Sequence, residues 1–449
     1  MSKKYNVKTP SGFPEFSPAQ EQVRQRWIKT IAEVFEKNGF LPINTPLVER
    51  EENLLGKGGN PKEMYALKRI LDEEGDISHS GNALRFDHTV PLALYVARNF
   101  NDLNFPFRRY TIGPVFRGER AQKGRFRQFD QCDIDVIGNG SLSILNDAQM
   151  PAIIIDIFRQ LMSEEPFVVR INNRKILLGF FESTGVEADK IKTVLNIVDE
   201  LEKIGETAVG KKLEEQKVEK EAIKNILDFI QIQGSNETIL EKLKEMSNDS
   251  DLFKEGVEEL QLVVKSIENM GIDEKYFKVD LCIARGLDYY TGTVFETNLI
   301  NYFGLGSICS GGRYEDLASV FTGKVMPGVG ISIGLTRLLS QFFEEGLVKT
   351  DRQTRTQILV INVDEVALPK SLEIGKKLRD GGFFVENYLE DKKLGKKFDY
   401  ADKMQIPYVV VLGEDELNKK YVQVKNMETG EKTEVGEDKL EDYFSLIYA

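Results

Sequence analysis

Cysteine is scarce in this sequence: Cys132, Cys282 and Cys309 are the only three in 449 residues, far apart and without a CxxC pair. A disulfide framework or a thiolate zinc site is therefore not expected, and a reducing, cytoplasmic setting fits. Histidine is scarcer still, with His79 and His88 alone, so no histidine-rich metal centre is expected and no metal ligand is assigned. No stretch approaches the roughly 18 apolar residues of a membrane helix. The opening MSKKYNVKTPSGFPEF lacks the apolar core of a secretory signal. Basic charge is not in excess either: a net charge of −12 argues against a protein that coats nucleic acid through bulk charge. A glycine-rich loop of Walker type is also missing, so any nucleotide must be held by arginines.

What is present has the balance of a folded soluble chain, 41% hydrophobic and 29% charged, long enough for about three domains of roughly 150 residues. Ser17-Pro18-Ala19-Gln20 reads as a capping box with proline in the first helical position. Val23, Trp27, Ile31, Val34 and Phe35 then recur at helical spacing as core, until Asn38-Gly39 ends the helix. Met64–Leu67 and Leu84–Asp87 are expected as strands of a meander, and residues 106–138 as a long antiparallel pair turning near 121–124. From Leu177 to Met270 the pattern becomes Lys/Glu-rich and helical, and strand-like sequence returns at Tyr276–Ile283. This block reads as an insertion between two parts of one sheet. Beyond a polar linker, apolar runs at Ile358–Val363, Phe383–Val385 and Tyr408–Leu412 alternate with helical patterns, which predicts a small α/β domain with a largely parallel sheet.

Three elements carry chemistry. Between Arg108 and Arg127 stand seven basic residues against one acid, Glu119; a solvated hairpin would give the same run. In Phe129-Asp130-Gln131-Cys132-Asp133-Ile134-Asp135, period-two alternation puts Gln131, Asp133 and Asp135 on one face with Phe129, and Cys132 and Ile134 on the other. An edge strand would alternate in the same way, but this polar face suits a charged ligand better. Arg285-Gly286-Leu287-Asp288-Tyr289-Tyr290-Thr291 offers a cation beside two phenols. Gly328-Val329-Gly330-Ile331-Ser332-Ile333-Gly334 lets a ligand or another backbone approach a strand closely, with Arg337 in the first turn of the helix after it.

In combination these elements resemble the three motifs of class II aminoacyl-tRNA synthetases, and more narrowly the histidyl-tRNA synthetase family. The N-terminal helix and the strand ending at Pro46 match motif 1, Gly113–Arg120 with Gly124–Phe129 match motif 2, and Gly330–Arg337 match motif 3. Arg285–Thr291 and Ser310-Gly311-Gly312-Arg313-Tyr314 match the histidine-specific signatures, while Tyr400–Lys403 and Leu412–Leu417 match the family's anticodon-binding domain. The resemblance implies an α+β fold, with a catalytic domain built on an antiparallel sheet flanked by helices. Its parts would be residues 1–176 and 276–348, with a helical insertion at 177–275 and an α/β anticodon-binding domain at 355–449.

The activity it implies is ATP-dependent histidine–tRNA ligation by a homodimer. ATP is a substrate with Mg2+ on its phosphates, and tRNA(His) and histidine are the partners. Arg117 and Arg285 would contact the α-phosphate as catalytic residues. Glu119, Arg125, Phe129 and Arg337 would hold ATP. Asp87, Thr89 and Gln131 would take histidine's ammonium, and Asp135 and Tyr290 its imidazole, with Tyr289 and Tyr314 lining the pocket; the neighbouring His88, also a candidate for the histidine site, reads rather as a packed neutral ring. His88 stands where the family usually has leucine, Thr336 where it commonly has an acid, and Gly118 where bacterial relatives often carry histidine. Two other readings share the fold: the regulatory subunit of ATP phosphoribosyltransferase, and a sensor that binds tRNA without forming an adenylate.

Overall fold

A computed structural model describes residues 6–56, 61–68, 79–120, 124–246, 249–284, 290–315, 317–350 and 352–448. Arg285 and Tyr289 lie outside the described residues. The Pro18–Lys37 helix begins as its sequence predicts: the Ser17 backbone N–H donates to Gln20 Oε1 at 2.9 Å and the Gln20 N–H to Ser17 Oγ at 3.4 Å. Trp27 is buried edge-on against Phe342.

The strands follow in chain order: β1 (Leu41–Pro42), β2 (Val48–Arg50), β3 (Ala66–Lys68), β4 (His79–Leu84), β5 (Phe107–Phe116), β6 (Gln128–Ile137), β7 (Phe167–Asn173), β8 (Phe277–Val279), β9 (Thr293–Leu299), β10 (Cys309–Tyr314) and β11 (Gly328–Gly334). Eight of them make one sheet in the order β1-β5-β6-β11-β10-β9-β7-β8; β2, β4 and β3 form a small antiparallel sheet of their own. The inner six strands pair antiparallel, and only β1 and β8 join in parallel. β6 therefore lies inside the sheet, and both its faces are covered over most of its length. Cys132, Ile134 and Val136 are fully buried on one side, Asp133 and Asp135 almost fully on the other.

Helices of residues 191–269 stand in the chain between β7 and β8. The Asp251–Asn269 helix starts at Ser250, whose hydroxyl accepts the Phe253 N–H, and it meets the Arg174–Ser183 helix closely through Gly179 and Gly256.

Residues 349–449 group as a separate unit together with Glu15–Gln25. Its sheet contains β12 (Ile358–Asn362), β13 (Val385–Asn387), β14 (Tyr408–Leu412), β15 (Tyr421–Asn426) and β16 (Lys432–Gly436), in the order β13-β12-β14-β15-β16. The largely parallel expectation needs correction: β13, β12 and β14 are parallel, but β15 and β16 add an antiparallel hairpin. Polar and charged residues on its exposed positions obscure the apolar alternation of Val422, Val424 and Val435, which are buried.

Two other expectations shift. The strand placed at Leu84–Asp87 ends at Leu84, because Arg85 turns its side chain into the protein and Asp87 starts a helix over Thr89–Asn99. At Tyr276–Ile283 only Phe277–Val279 pairs as a strand. Asp280 still donates its backbone N–H to the Ile171 carbonyl at 2.9 Å, and its carboxylate accepts from Arg170 Nε at 2.8 Å.

Candidate active site

Strand register builds the polar face row by row. Arg109, Asp135 and Gly330 stand side by side across β5, β6 and β11; the next rows are Thr111, Asp133 and Ser332, then Gly113, Gln131 and Gly334. β10 extends the first two rows with Gly312 and Ser310. The alternation found in Phe129–Asp135 thus lies in the middle of a sheet.

At the crowded end, Arg109, about 1% exposed, pairs with Asp135 at 2.5 Å, and the Tyr314 hydroxyl donates to Asp135 Oδ1 at 2.9 Å. Burial pushes the Asp135 carboxyl up to about 6, opposed by Arg109 and Tyr314. Burial raises the Tyr290 and Tyr314 phenols too, so both remain hydroxyl donors at neutral pH. The motif glycines supply the room. A Cβ on Gly330 would stand 2.1 Å from Asp135 Oδ1, and one on Gly328 would stand 2.4 Å from the Tyr314 ring. Gly330→Ala is expected to drive the carboxylate off Arg109 and cost about 1–3 kcal/mol through overpacking, read as a lower midpoint in urea unfolding.

Beside this face, Asp87 accepts the backbone N–H groups of Thr89 and Val90, each at 3.1 Å, and so caps the Thr89–Asn99 helix. Burial raises its pKa against those two bonds and Arg117. Arg85 is almost wholly buried; its guanidinium donates to the carbonyls of Pro114 and Thr45, both at 2.9 Å, and fastens three segments together. His88 is about 1% exposed and its Nε2 lies 3.2 Å from the Gly113 carbonyl. Desolvation, then Arg85 and Arg109, push its pKa down to about 3. It is a packed neutral ring, with Nε2–H as donor, and it lines neither cavity described below.

Two cavities adjoin on the sheet. The larger, about 350 Å³, is lined by Arg117, Glu119, Arg125, Phe129 and Arg337, and also by Gln131. The smaller, about 40 Å³, is lined by Thr89, Asp133, Asp135, Tyr290 and Tyr314. Ser310 and Ser332 belong to both walls. In the larger cavity the Arg117 guanidinium sits 5.2 Å from the Phe129 ring centre while its Nε donates to the Phe86 carbonyl at 3.1 Å. Arg125 reaches Glu119 at 3.5 Å, and Arg337 donates to the Leu305 carbonyl. Thr336, just before Arg337, accepts the Asp130 N–H at 2.8 Å through its hydroxyl. It joins the Leu335–Glu344 helix to β6 without adding a charge. Gly118 donates its N–H to the Glu63 carbonyl at 2.7 Å.

Glu119, Arg125, Phe129 and Arg337, expected to hold ATP, therefore line one cavity together with Arg117, and Thr89, Asp135, Tyr290 and Tyr314 line the other, while Asp87 lines neither. Gln131 stands on the boundary, its Nε2 donating to Ser332 Oγ at 2.8 Å. Sequence inspection missed Arg85 and Arg109 as members of the site; it put Asp133 on the polar face but gave it no role. Extending the alternation of β5 back from Val115 through Gly113 and Thr111 would have reached Arg109; no local signal marks Arg85. Among the described residues, no group of three His, Cys, Asp or Glu side chains could hold a metal ion, and no helix is long and apolar enough to cross a membrane.

Two family models match the chain: histidyl-tRNA synthetase over residues 12–338 and the anticodon-binding domain over residues 357–446. The chain is 48% identical to the histidine–tRNA ligase of Nostoc sp. PCC 7120 over 444 residues, 96% of each chain. It is 52% identical to that of Clostridium tetani over 420 residues, 93% of each. The crystal structure of histidyl-tRNA synthetase from the same Nostoc strain superposes with a TM-score of 0.90 at 46% identity, covering 99% of this chain and 100% of that one. An ATP phosphoribosyltransferase regulatory subunit/histidyl-tRNA synthetase from Bacillus halodurans shares the fold, with a TM-score of 0.74 at 20% identity over 92% of this chain and 99% of that one.

Proposed function

The chain belongs to the histidyl-tRNA synthetase family, and from that premise we propose a division of labour among its residues. The reaction joins histidine to tRNA(His) at the expense of ATP. A histidine carboxylate oxygen attacks the α-phosphorus of ATP; the bond to the β-phosphate oxygen breaks, and pyrophosphate leaves. The histidyl group of the adenylate then passes to the terminal ribose of the tRNA.

The carrying observation is the pair of cavities sharing Ser310 and Ser332. One holds guanidinium groups and an aromatic ring, the other carboxylates and phenols. ATP belongs in the first: Phe129 stacks on adenine, Arg125 and Glu119 hold the nucleotide, Arg337 meets the γ-phosphate and Arg117 the α-phosphate. Arg285 is assigned to the same phosphate by family likeness. Negative charge grows on the α-phosphate oxygens in the transition state, where a fixed guanidinium stabilises it most. Mg2+ bound to the ATP phosphates would supply charge neutralisation for the leaving pyrophosphate.

Histidine belongs in the second cavity. Its ammonium meets Asp87, Thr89 and Gln131; its imidazole lies between Asp135 and Tyr290, with Tyr289 and Tyr314 closing the pocket. His88 supports this wall as a packed ring. Buried polar partners of this kind reject a side chain that leaves them unpaired. The residues from 355 onward would read the anticodon, the helices of 177–275 would meet the acceptor arm, and the N-terminal helix with β1 would pair two copies into a homodimer. The compartment that fits is the cytoplasm.

The test is ATP–pyrophosphate exchange with each of the twenty amino acids, in magnesium and without tRNA. Exchange with histidine alone is the expected result. A folded protein that exchanges with none would instead be a binding or regulatory relative.

A further inference from the structure

We propose that Asp133 is a further histidine-binding residue: its Oδ1 accepts a hydrogen bond from the substrate's α-ammonium, so that Asp133 and Asp87 flank that cation together. This rests on reading the smaller cavity as histidine's.

Three observations carry it. First, on β6 the side chains of Gln131, Asp133 and Asp135 point to one face in succession. Gln131 is given to the amino end of histidine and Asp135 to the imidazole. The side chain between them faces the middle of the ligand, next to the α-carbon. Second, Asp133 is 6% exposed and lines the small cavity together with Thr89. Third, its Oδ1 is buried without a hydrogen-bond partner among the described residues. A buried acceptor left unpaired destabilises the protein, and a donor carried in by the ligand would satisfy it. The imidazole N–H is already met by Asp135, which leaves the ammonium as histidine's remaining donor group.

The neighbours suit a carboxylate that waits for a cation. Ser332 takes the Nε2–H of Gln131, which leaves its own hydroxyl to donate to Asp133. Two acceptors of the ammonium are thus joined through one hydroxyl. Facing Asp133 from the surrounding elements are the guanidinium groups of Arg109 and Arg85, the carboxyls of Asp135 and Asp87, the Tyr290 phenol and the Cys309 thiol. Burial outweighs the opposing pull of Arg109 and Ser332 and pushes the Asp133 carboxyl up to about 7. Above that value the group is a carboxylate that attracts the ammonium; below it the group is protonated and the attraction is lost. Histidine binding through Asp133 therefore weakens towards acid.

The experiment is histidine-dependent pyrophosphate exchange by the full chain and by Asp133→Asn, with KM for histidine and for ATP measured between about pH 6 and 8.5, a range that brackets the group. In Asn the charge goes and the shape stays. The expected result is a KM for histidine raised about 10–100-fold at the alkaline end, the range of a hydrogen bond to a charged group. KM for ATP and kcat should stay within about threefold. The ratio of the two histidine KM values should fall towards one below about pH 6.5, because wild-type Asp133 is then protonated as well. Titration of histidine's own imidazole affects both proteins and cancels in that ratio.

A ratio independent of pH, or a loss in kcat alone, would overturn the proposal in favour of a structural role. Should the Asn variant not fold, Ser332→Ala provides the second test. It keeps the carboxylate but removes the hydroxyl that holds its pKa down, and it should move the break in the histidine KM profile to higher pH. An unmoved break overturns the proposal. Absence of exchange by the wild-type chain would instead overturn the histidine reading of the cavity itself.

Discussion

Replacing Arg117 with alanine is expected to slow histidine-dependent adenylate formation by about 10²–10³-fold, the usual loss on removing one preorganised electrostatic donor. The side chain is positioned from two sides. Its Nε is tied to the Phe86 carbonyl, and its guanidinium stands 5.2 Å from the Phe129 ring centre. In the proposed role it would reach the phosphate without reorganising, and the gain would appear in the transition state. The side chain is about one-third exposed and pairs only loosely with Glu119, at 4.0 Å. Thermal unfolding should therefore hardly move, which separates a chemical defect from a folding defect. Lysine should restore little, because a point charge cannot make the two-pronged contact of a guanidinium. Single-turnover adenylation gives the reading, and a rate within tenfold of wild type would show that the α-phosphate charge is met elsewhere.

Asp135→Ala should be costly in two independent ways. Arg109 would remain buried with its ion-pair partner gone and the Tyr314 hydroxyl would lose its acceptor. Stranding one member of a buried pair costs about 3–5 kcal/mol, read from chemical denaturation. The histidine ring would lose an acceptor as well, and KM for histidine should rise by about 10²-fold or more, since a site built around a hydrogen bond penalises its loss heavily. A double variant, Asp135→Ala with Arg109→Leu, resolves the two effects. Removing both charges should recover much of the stability, because an apolar replacement of a buried pair is often near neutral. It should recover none of the histidine use. Recovery of both would leave Asp135 as a structural residue only.

Gly330 shows how far motif and mechanism depend on one another. Its place in an alternating glycine run is visible in sequence, and so is the expectation of close approach. That the approaching group is the Asp135 carboxylate, on the neighbouring strand, follows only from the β6–β11 register. Thr336 is a departure from the family's usual acid that the structure explains. A neutral hydroxyl there accepts the Asp130 N–H, and the same position on a charged side chain would sit beside Asp130 itself. His88, singled out by its titratable ring, proves to be held neutral by burial and by two neighbouring guanidinium groups.

The sequence by itself determined the element types wherever local physics is strong: the capping box at Ser17, the alternation of β6 and the helix after Gly334. It also determined the family, because the motif residues occur in order along nearly the whole chain. Tertiary structure alone decided that β6 is an inner strand, that Arg109 faces Asp135, that Arg85 joins three segments, and that Asp133 has an oxygen to spare. Each depends on register or burial between residues tens to hundreds of positions apart. Period and propensity report what a residue does to its own backbone; the dielectric around a carboxylate and the identity of its partner are set by the neighbouring strands.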